Sequence, residues 1–392
     1  MTPGARVAAA IEVLDAWRAG VPAEQALTRW ARGARYAGSK DRAAVRDHVY
    51  DALRQLGSAE DLGGGSDGRA LMLGLLRLTD VDPLTVFTGV GHAPAALSAE
   101  ERTRVAGPVI PPDPGTDIPQ WLRAPLAARA HSEESAAALL AALSRRAPVW
   151  LRVARRRGSV AAARSALAED GIGTETTEAS DTALRVTSGA RALRRARAYL
   201  DGLVELQDLS AQRAVAFVDW PATGRILDYC AGGGGKALAI ADRTGAEVFA
   251  HDALPRRMAD LPPRAERAGV RIDQFAQSEV SSQAPFDAVL CDVPCSGSGT
   301  WRRDPEAKWR LTPEALDALL AQQAGILDDA AALVAPGGQL VYMTCSLLAP
   351  ENEDQVAAFV ERRDGWRPIA TRIDTPLSAS DGFFTACLRR DR

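Results

Sequence analysis

The first part of the chain has a helical pattern of hydrophobic and polar positions and almost no strand pattern. Over residues 1–104, apolar residues recur at intervals of three and four, as at Val7, Ile11, Leu14 and Trp17. Proline and glycine residues separate the helical segments from one another. We therefore predict an all-helical domain over residues 1–104.

A proline-rich stretch follows this domain. Residues 105–121 carry five prolines, which favour extended backbone in the residues before them, and we predict a linker over 105–120. Residues 121–205 then alternate short helices with short strands, such as Val149–Val153 and Leu184–Val186. This alternation predicts a small α+β unit over 121–205.

From residue 206 to residue 392 the pattern becomes an alternation of strand, turn and helix. The strands that we predict are Arg225–Tyr229, Ala246–Ala250, Asp287–Cys291 and Gln339–Thr344. The helices that we predict are Lys236–Arg243, Pro255–Ala268, and one that begins after the N-cap Thr312 and runs to Pro336-Gly337-Gly338. The alternation favours the α/β fold class, with a doubly wound, Rossmann-like, mainly parallel sheet that binds ligands at the carboxyl ends of its strands.

Composition narrows the class of protein. With 392 residues, 46% of them hydrophobic, the chain is long enough for two or three domains with buried cores. Its most apolar stretches, such as Ala70–Leu78, are too short to span a membrane, and residues 1–17 lack the apolar core of a signal peptide. We therefore expect a soluble, cytoplasmic protein.

The five cysteines all lie in the second half of the chain, at positions 230, 291, 295, 345 and 387. Their spacing matches neither a zinc site nor a disulfide framework, so we expect reduced thiols and no metal. Buried cysteines usually act as small hydrophobic side chains. We interpret Cys230, Cys291 and Cys387 in that way.

The net charge of −3 conceals an uneven distribution. Residues 145–200 contain twelve arginines and five acidic residues, so this segment is net +7 and the remainder is net −10. Such a segment is either a basic module that binds nucleic-acid phosphates or a solvated surface, and charge alone does not decide between them. If it binds RNA, the run Arg155, Arg156 and Arg157 is our candidate contact.

A glycine-rich loop follows the first strand of the predicted large sheet. The strand passes through Asp228, four consecutive glycines occupy 232–235, and a helix begins directly after them. Glycine allows a sharp turn and a close approach of the backbone to a ligand. Asp252, after the next strand, is where doubly wound folds bind a ribose. We predict a nucleoside-cofactor site; the absence of a GxxxxGK[ST] spacing argues against a nucleoside triphosphatase.

Two later strands deliver cysteines to the same edge of the sheet. One passes through Asp292 to Pro294, and because proline cannot continue a central strand, Cys295 lies in the loop that follows. The strand over 340–344 leads in the same way to Cys345. Both thiols are therefore expected where ligands bind in this architecture.

Four segments resemble signature blocks of the Fmu/Sun family of RNA (cytosine-5)-methyltransferases, namely CAGGGGK, DVPCSGSGTWRRDPEAKW, TCSLLAPENE and DGFFTACLRR. They occur in the family's order and together cover residues 206–392. Residues 35–54 resemble the NusB-like, RNA-binding N-terminal domain of the bacterial 16S ribosomal RNA subgroup. Residues 147–157 and 203–212 resemble the family's pre-catalytic RNA-binding region. The resemblance implies a class I methyltransferase domain preceded by two RNA-binding units.

The resemblance also implies an activity. The chain would transfer a methyl group from S-adenosylmethionine to carbon 5 of a cytosine in RNA, with 16S rRNA as the expected substrate, and would act as a monomer. Cys345 would be the nucleophile that forms a covalent adduct, and Cys295 would assist release; the residues alone do not rank the two thiols. Asp292 would bind the cytosine edge, and Lys236 would orient Asp292 or the substrate.

The resemblance extends to contact residues. The implied cofactor contacts are Asp228, Cys230, Ala231, Gly232, Gly233, Gly234, Gly235, Lys236, Asp252, Arg257, Gln277 and Asp292. The implied RNA contacts after the Pro-Cys motif are Arg302, Arg303 and Lys308. Two departures stand out: the family loop reads CAAPGGK where this chain has Gly232 and Gly233 in place of Ala-Pro, and the acid that usually contacts the adenine is missing, so Gln277 or Glu279 would take its place.

Other functions compatible with these residues are methylation of transfer RNA and a noncatalytic role as an RNA-binding ribosome-assembly factor. The presence of Cys295, Cys345 and Asp292 argues against a noncatalytic role. A methyltransferase for small molecules or proteins is a third alternative, but such an enzyme does not need two cysteines.

Overall fold

The computed structural model describes residues 1–110 and 112–392. The linker predicted over 105–120 includes Pro111, which lies outside the described residues. In the part of the chain that the structure describes, no helix combines the length and the hydropathy needed to cross a membrane.

Eight helices precede the first strand in the described residues, and helices and strands alternate from there on. The helices are α1 (Pro3–Arg18), α2 (Ala23–Gly33), α3 (Ser39–Arg54), α4 (Leu56–Gly63), α5 (Gly68–Leu78), α6 (Ala99–Ala106), α7 (Gln120–Ala127), α8 (Glu133–Leu143), α9 (Val160–Glu169), α10 (Arg197–Leu200), α11 (Leu209–Phe217), α12 (Gly235–Arg243), α13 (Leu261–Ala268), α14 (Gln277–Val280), α15 (Pro305–Arg310), α16 (Pro313–Ala332) and α17 (Glu353–Arg362). The strands are β1 (Val149–Val153), β2 (Thr174–Thr177), β3 (Ser180–Val186), β4 (Val204–Leu206), β5 (Arg225–Asp228), β6 (Glu247–Ala250), β7 (Ile272–Gln274), β8 (Phe286–Asp292), β9 (Val334–Thr344), β10 (Trp366–Asp374) and β11 (Phe383–Arg390).

The chain divides into two compact units. The first comprises Met1–Arg146 together with Trp301–Arg310, and the second comprises Ala147–Thr300 together with Leu311–Arg392. The segment Trp301–Arg310, which the sequence pattern assigns to the last domain, therefore belongs to the helical first unit.

The first unit is helical, as the spacing of its apolar residues predicts. Val7, Leu14 and Trp17 of α1 are buried in one cluster with side chains from α2 to α5. Thr2 caps the start of α1 by accepting a hydrogen bond from the Ala5 N–H. Trp309 of α15 packs against the same cluster.

The second unit contains two sheets. The smaller sheet has the order β2-β3-β1-β4, and all of its pairings are antiparallel. Helix α9 packs on β2 and β3, while α11 packs on β1 and β3. From Ala147 on, the predicted α+β unit is present as a sheet with helices against it, whereas residues 121–146, which the prediction included, belong to the first unit.

The larger sheet has the order β10-β11-β9-β8-β5-β6-β7. Strands β5 to β9 pair in parallel, and β11 and β10 add an antiparallel edge. Successive residues of β9, such as Val341 and Tyr342, point to opposite faces and are buried in different clusters. This is expected of a sheet covered by helices on both sides. The strand order reverses between β5 and β8, which is the position where doubly wound folds bind ligands.

Several predicted strands differ from the structure in their bounds, and two predicted helices differ more clearly. The helix expected to run to Pro336-Gly337-Gly338 ends at Ala332. These three residues instead form an irregularity inside β9, because the register with β8 shifts between Phe286 and Ala288. The helix predicted over Pro255–Ala268 divides into a 3-10 turn and α13, which has prolines in its first turn.

Candidate active site

The carboxyl ends of three neighbouring strands carry the predicted site residues. β5 ends at Asp228, β8 ends at Asp292, and each strand pairs in parallel with the next. Cys295 and Cys345 lie in the loops that follow β8 and β9. The fold therefore brings the glycine loop, two carboxylates and two thiols to one edge of the large sheet.

The glycine loop needs glycine at two positions. Gly232 and Gly234 have φ angles of +52° and +77°, in the left-handed region that side chains disfavour. A Cβ on Gly234 would also lie 2.2 Å from Leu261 Cδ1. Helix α12 begins at Gly235, so its free N–H groups point toward the loop. The loop thus offers backbone donors at a helix start.

Asp252 holds the glycine loop against the end of β6. Its side chain is buried, and it accepts hydrogen bonds from the N–H groups of Gly232 and Leu254, both at 2.9 Å. Arg257 forms an ion pair with it at 3.3 Å. Ala231, in the same loop, donates its N–H to the carbonyl of His251 at 2.8 Å. The predicted residues Asp252, Arg257 and Gly232 therefore lie together.

Asp228, Lys236 and Asp292 form a charged group beneath the loop. Lys236 Nζ donates to Asp292 Oδ2, and its ammonium lies 4.9 Å from the centre of the Phe383 ring. Burial alone would lower the pKa of Lys236, but the Asp292 carboxylate outweighs it and the pKa is raised. Burial, with a contribution from Asp292, raises the pKa of Asp228 to about 7. Asp228 Oδ1 has no hydrogen-bond partner among the described residues.

Two side chains from outside the loop bind its backbone carbonyls. Arg264 of α13 donates to the carbonyl of Gly233, and Gln207, which follows β4, donates to the carbonyl of Gly235 at 3.1 Å. Buried Arg152 of β1 donates to Gln207 at 2.7 Å and fixes its amide. Sequence reasoning missed this clamp because it joins residues far apart in the chain.

The two predicted catalytic thiols are in contact. Cys295 Sγ lies 3.4 Å from Cys345 Sγ, and Thr300 Oγ1 donates to Cys345 Sγ at 3.8 Å. The hydrogen bond from Cys295 lowers the pKa of the Cys345 thiol despite its burial, with smaller effects in the same direction from Thr300 and Lys236. The same hydrogen bond, together with burial, raises the pKa of Cys295. Cys345 is therefore the more acidic thiol of the pair.

The other cysteines have the surroundings of inert thiols. Burial raises the pKa of Cys230, with a further contribution from Asp228, although the backbone of this residue forms part of the glycine loop. Burial also raises the pKa of Cys291 and brings that of Cys387 to about 11. In the described residues, no group of three or more His, Cys, Asp or Glu side chains is arranged to hold a metal ion.

A buried carboxylate holds the two thiol-bearing loops together. Glu351, which is fully buried, accepts from the N–H and hydroxyl of Ser296 after Cys295 and from the hydroxyl of Ser346 after Cys345. Gln323 of α16 adds a fourth donor at 3.0 Å. Sequence reasoning missed Glu351, because a glutamate after a loop proline is typical of an exposed turn.

Gln277, the candidate for the adenine side, lies at the start of α14. Its Oε1 is 2.7 Å from His251 Nε2, and the His251 ring stacks on Tyr229 with 4.8 Å between centroids. Glu279 is instead used locally, because its carboxylate accepts from the Ala276 N–H at 2.8 Å. Of the two candidates, Gln277 is the one connected to the end of β6.

The three candidate RNA-binding arginines are exposed, but each guanidinium has a partner. Arg155 pairs with Asp181, while Arg156 and Arg157 donate to backbone carbonyls at the end of α12 and in α13. The contacts of Arg156 and Arg157 join the small sheet to the helices of the large sheet within the second unit. Contact of these arginines with RNA stays a prediction.

The residues after the Pro-Cys loop belong to the first unit. Arg303 is exposed, and Arg302 donates to the carbonyls of Arg145 and Arg146. Lys308 is fully buried, donates to the Arg54 carbonyl at 3.1 Å, and has a pKa that burial lowers to about 7. The interpretation of Lys308 as an RNA contact is therefore corrected: its ammonium is enclosed by protein.

These features define what the site can do. The site fits a nucleoside that carries a positive charge. It combines a glycine loop at a helix start, the buried Asp252 near the end of β6 and the unpartnered Oδ1 of Asp228. At the same edge of the sheet, an acidified thiol with a second thiol in contact can attack an electrophilic carbon and later release it.

Comparison with known proteins points to one family. The family described as 16S rRNA methyltransferase RsmB/F matches residues 218–388, and its ferredoxin-like domain matches residues 118–192. Ribosomal RNA small subunit methyltransferase B of Xanthomonas campestris pv. campestris is 33% identical over 352 residues, covering 81% of this chain and 79% of that protein. The protein of the same name from Klebsiella pneumoniae subsp. pneumoniae is 33% identical over 271 residues, covering 65% of this chain and 62% of that protein.

Solved structures share the fold. The crystal structure of PH0851 superposes with a TM-score of 0.74 at 20% identity, covering 100% of this chain and 99% of that chain. The structure of NSun6 from Pyrococcus horikoshii with SFG gives a TM-score of 0.60 at 17% identity, covering 70% of this chain and 98% of that chain. At these identities the likeness concerns the fold alone.

Proposed function

The chain belongs to the RsmB/F (Fmu/Sun) family of 16S rRNA methyltransferases, and on this premise we propose that it methylates carbon 5 of a cytosine in 16S rRNA through a covalent adduct with Cys345. The observation that carries the proposal is the contact between the Cys295 and Cys345 thiols, 3.4 Å apart, at the carboxyl edge of the sheet. The names of the relatives support ribosomal RNA as the substrate, and such a substrate would make the protein cytoplasmic.

The chain's residues fit S-adenosylmethionine as the methyl donor. The N–H groups of the glycine loop and the buried Asp252 would bind the nucleoside, with Asp252 at the ribose hydroxyls and Gln277 near the adenine. The unpartnered Asp228 Oδ1 would accept from a positively charged amine. When bound there, this cofactor supplies an electrophilic methyl group next to the thiols.

Attack begins with Cys345. Carbon 5 of cytosine is a poor nucleophile until a thiolate adds to carbon 6, which leaves carbon 5 enamine-like. The hydrogen bonds from Cys295 and Thr300 stabilise the Cys345 thiolate. Asp292, oriented by Lys236, would hydrogen-bond the cytosine edge and stabilise the ring while charge shifts onto it. The target base must be unstacked to reach this edge.

Release needs a second group, because carbon 5 must lose its proton after methylation. Once Cys345 is bonded to carbon 6, it no longer carries the charge that raises the pKa of Cys295. Cys295 would then lose its proton to water and, as a thiolate, accept the proton from carbon 5. The electrons of the broken carbon–hydrogen bond restore the ring double bond, the bond between carbon 6 and Cys345 breaks, and the sulfur leaves as a thiolate. Glu351 would keep both thiol loops in place throughout.

Single substitutions of the two thiols test the proposal. We expect Cys295→Ala to form a stable RNA-linked species. Thr300 and Lys236 still lower the pKa of Cys345, so attack and methylation proceed, although more slowly, while release fails. We expect Cys345→Ala to give neither adduct nor methylation, because the attacking sulfur is gone. Denaturing gels of protein incubated with 16S rRNA and S-adenosylmethionine would show a slowly migrating band for the first variant only.

The control is Cys387→Ala, which removes a thiol outside the pair and should turn over like the wild type. A band for Cys345→Ala and none for Cys295→Ala would reverse the two roles. Bisulfite sequencing of the rRNA that detects no 5-methylcytosine after incubation with the wild-type protein would contradict the proposed activity itself.

A further inference from the structure

A groove with two aromatic side chains lies on the first unit, and none of the candidate active-site residues lines it. It has a volume of about 320 Å³ and lies against α1 and α2, with Trp30, Tyr36, Arg29 and Glu12 among its lining residues. Apolar side chains of α1 and α2 form its floor. The groove is therefore a preformed recess with flat aromatic rings at its wall.

Tyr36 is unusual among the aromatic residues of this unit. Its side chain is 75% exposed, although it is large and apolar for most of its surface. By comparison, the hydroxyl of Tyr50 donates to Glu24 at 3.1 Å. An exposed aromatic ring at the rim of a recess marks a surface that binds a partner.

Arg29 and Glu12 line the groove, and further cations are close to its residues in the sequence. Residues 27–42 contain five basic residues and one acidic residue. Arg29, Arg32, Arg35 and Lys40 are exposed, and none of them makes an ion pair within the described residues. Other arginines of the unit are paired, for example Arg46 with Glu24. The unpaired cations are therefore available to a negatively charged partner.

We propose that this groove, which we call the Tyr36 groove, binds an unpaired base of an RNA strand, an inference that rests on the proposed function and specifies a second contact with the substrate. The base would stack on Tyr36 and Trp30, as single-stranded nucleic acids do on aromatic platforms. Arg29, Arg32 and Lys40 would bind the flanking phosphates. An exposed carboxylate, Glu12, is placed to accept from an exocyclic amine of the base.

The chemistry favours RNA over an acidic peptide. A peptide carboxylate would pair with the cations but would have no use for a recess walled by two aromatic rings. A duplex would satisfy the cations but would keep its bases stacked out of reach. A single-stranded base with its phosphates uses the rings and the cations together.

The test compares single-stranded with duplex RNA on the full-length protein. The probes are a fluorescein-labelled single strand of twelve adenosines and a labelled twelve-base-pair duplex, and the measurement is fluorescence anisotropy. We expect Tyr36→Ala to weaken binding of the single strand about tenfold, since stacking of one base contributes on that order. We expect binding of the duplex to change less than twofold.

Two control variants separate stacking from general damage. Tyr36→Phe keeps the ring and should bind the single strand within about twofold of the wild type. Val90→Ala removes another exposed apolar side chain of the same unit, 76% exposed, and should have no effect. Circular dichroism of each variant checks that the helices are intact.

The results distinguish this inference from the proposed function. Unchanged binding of the single strand by Tyr36→Ala, or an equal loss for the duplex, would overturn base stacking in the groove. Selective loss for the single strand supports it. Transfer of labelled methyl groups to 16S rRNA by the wild type is measured in parallel, so that a protein that stacks RNA on Tyr36 but does not methylate would refute the proposed activity and leave the groove standing.

Discussion

At the end of β5 the Asp228 carboxyl is buried, and its Oδ1 has no hydrogen-bond partner among the described residues. A charge in such a place is unfavourable, because burial and the nearby Asp292 both oppose ionisation and raise the pKa of Asp228 to about 7. The unfolded chain, by contrast, ionises Asp228 near its ordinary value. Asp228 therefore lowers the stability of the protein without its cofactor. Residues that are kept for binding often reduce the stability of the fold in this way.

We predict that Asp228→Asn stabilises the cofactor-free protein increasingly as the pH rises. The folded wild type retains a proton that the unfolded chain has lost, so its stability falls between about pH 4 and pH 7 and then levels off. The gain of the variant at pH 8 should reach about 2–4 kcal/mol. Urea unfolding of both proteins from pH 5 to pH 8 measures it.

Asp273→Asn provides the control, because this aspartate is on β7 of the same sheet and its side chain is 47% exposed. It should show no such growth with pH. If the curves of Asp228→Asn and the wild type run parallel across the range, the carboxyl is not the source of the pH dependence.

The two thiols show what a residue type and its position leave undecided. That Cys295 and Cys345 lie at the same edge follows from the strands that precede them. Their ranking does not follow, because it depends on which sulfur accepts the hydrogen bond and on the nearby Thr300 and Lys236. These are contacts between loops that only the folded chain defines.

At the level of elements, Glu351 holds the loops after β8 and β9 together, because its carboxylate accepts hydrogen bonds from both loops. The carboxylate takes two from Ser296, one from Ser346 and one from Gln323, with no cation near enough to form an ion pair among the described residues. Fully satisfied buried networks are rigid, whereas a partly satisfied one is costly. Glu351 is thus a positioning residue for the thiols.

We predict that Glu351→Leu lowers the stability by about 3 kcal/mol or more, because it leaves several buried donors without an acceptor. Glu351→Gln keeps one acceptor oxygen and should cost less than half of that. In the folded Gln variant kcat should fall at least about tenfold while KM for RNA changes little, because the thiols shift and the RNA surface does not.

Glu361→Gln, ten residues further along and exposed near the end of α17, is the matched control and should leave kcat and stability near the wild type. Thermal unfolding and methyl-transfer kinetics measure the two effects. A Glu351→Gln protein with normal kcat would show that the carboxylate has no positioning role.

The elements that local pattern predicts best are those whose ends carry strong signals. β1 has the predicted bounds, and α16 begins after the predicted N-cap Thr312. The prediction at Pro336-Gly337-Gly338 was wrong. Proline and glycine end helices, but they also form bulges in strands, and here they lie inside β9, where its pairing with β8 shifts register. The roles of Glu351 and Gln207 were not predicted for a related reason. Their hydrogen-bond partners are distant in the sequence, and the local spacing of residues does not reveal such contacts.

At the level of the whole molecule, the arginines of residues 145–200 do not act as one basic surface. Arg152 is buried against Asp242, Arg155 pairs with Asp181 inside the small sheet, and Arg156 and Arg157 join that sheet to helices of the larger one. Arg164, Arg194 and Arg195 are exposed and make no ion pair within the described residues. The charge imbalance read from the sequence is real, but part of it serves internal contacts.

The chain also leaves the second unit and returns to it, because Trp301–Arg310 is part of the helical first unit. Glu306 anchors that segment. Its carboxylate accepts from Trp17 Nε1 at 3.1 Å and from the Ala23 N–H, the first of α2, at 3.1 Å, and it pairs with Arg310 at 2.7 Å. Since Pro22 gives α2 no side-chain cap, Glu306 caps this helix from a segment almost three hundred residues away.

We predict that Glu306→Gln destabilises the protein by about 1–2 kcal/mol, because a neutral amide interacts more weakly with the helix start and loses the ion pair. Glu24→Gln is the matched control: Glu24 lies in the first turn of the same helix, but its pair with Arg46 is about half exposed on both sides, so its loss should cost less than about 0.5 kcal/mol. Urea unfolding at neutral pH compares the two variants with the wild type. Equal losses in the free energy of unfolding would mean that Glu306 is only a surface charge. A larger loss for Glu306→Gln that persists in high salt would show that the segment Trp301–Arg310 stabilises the helical unit.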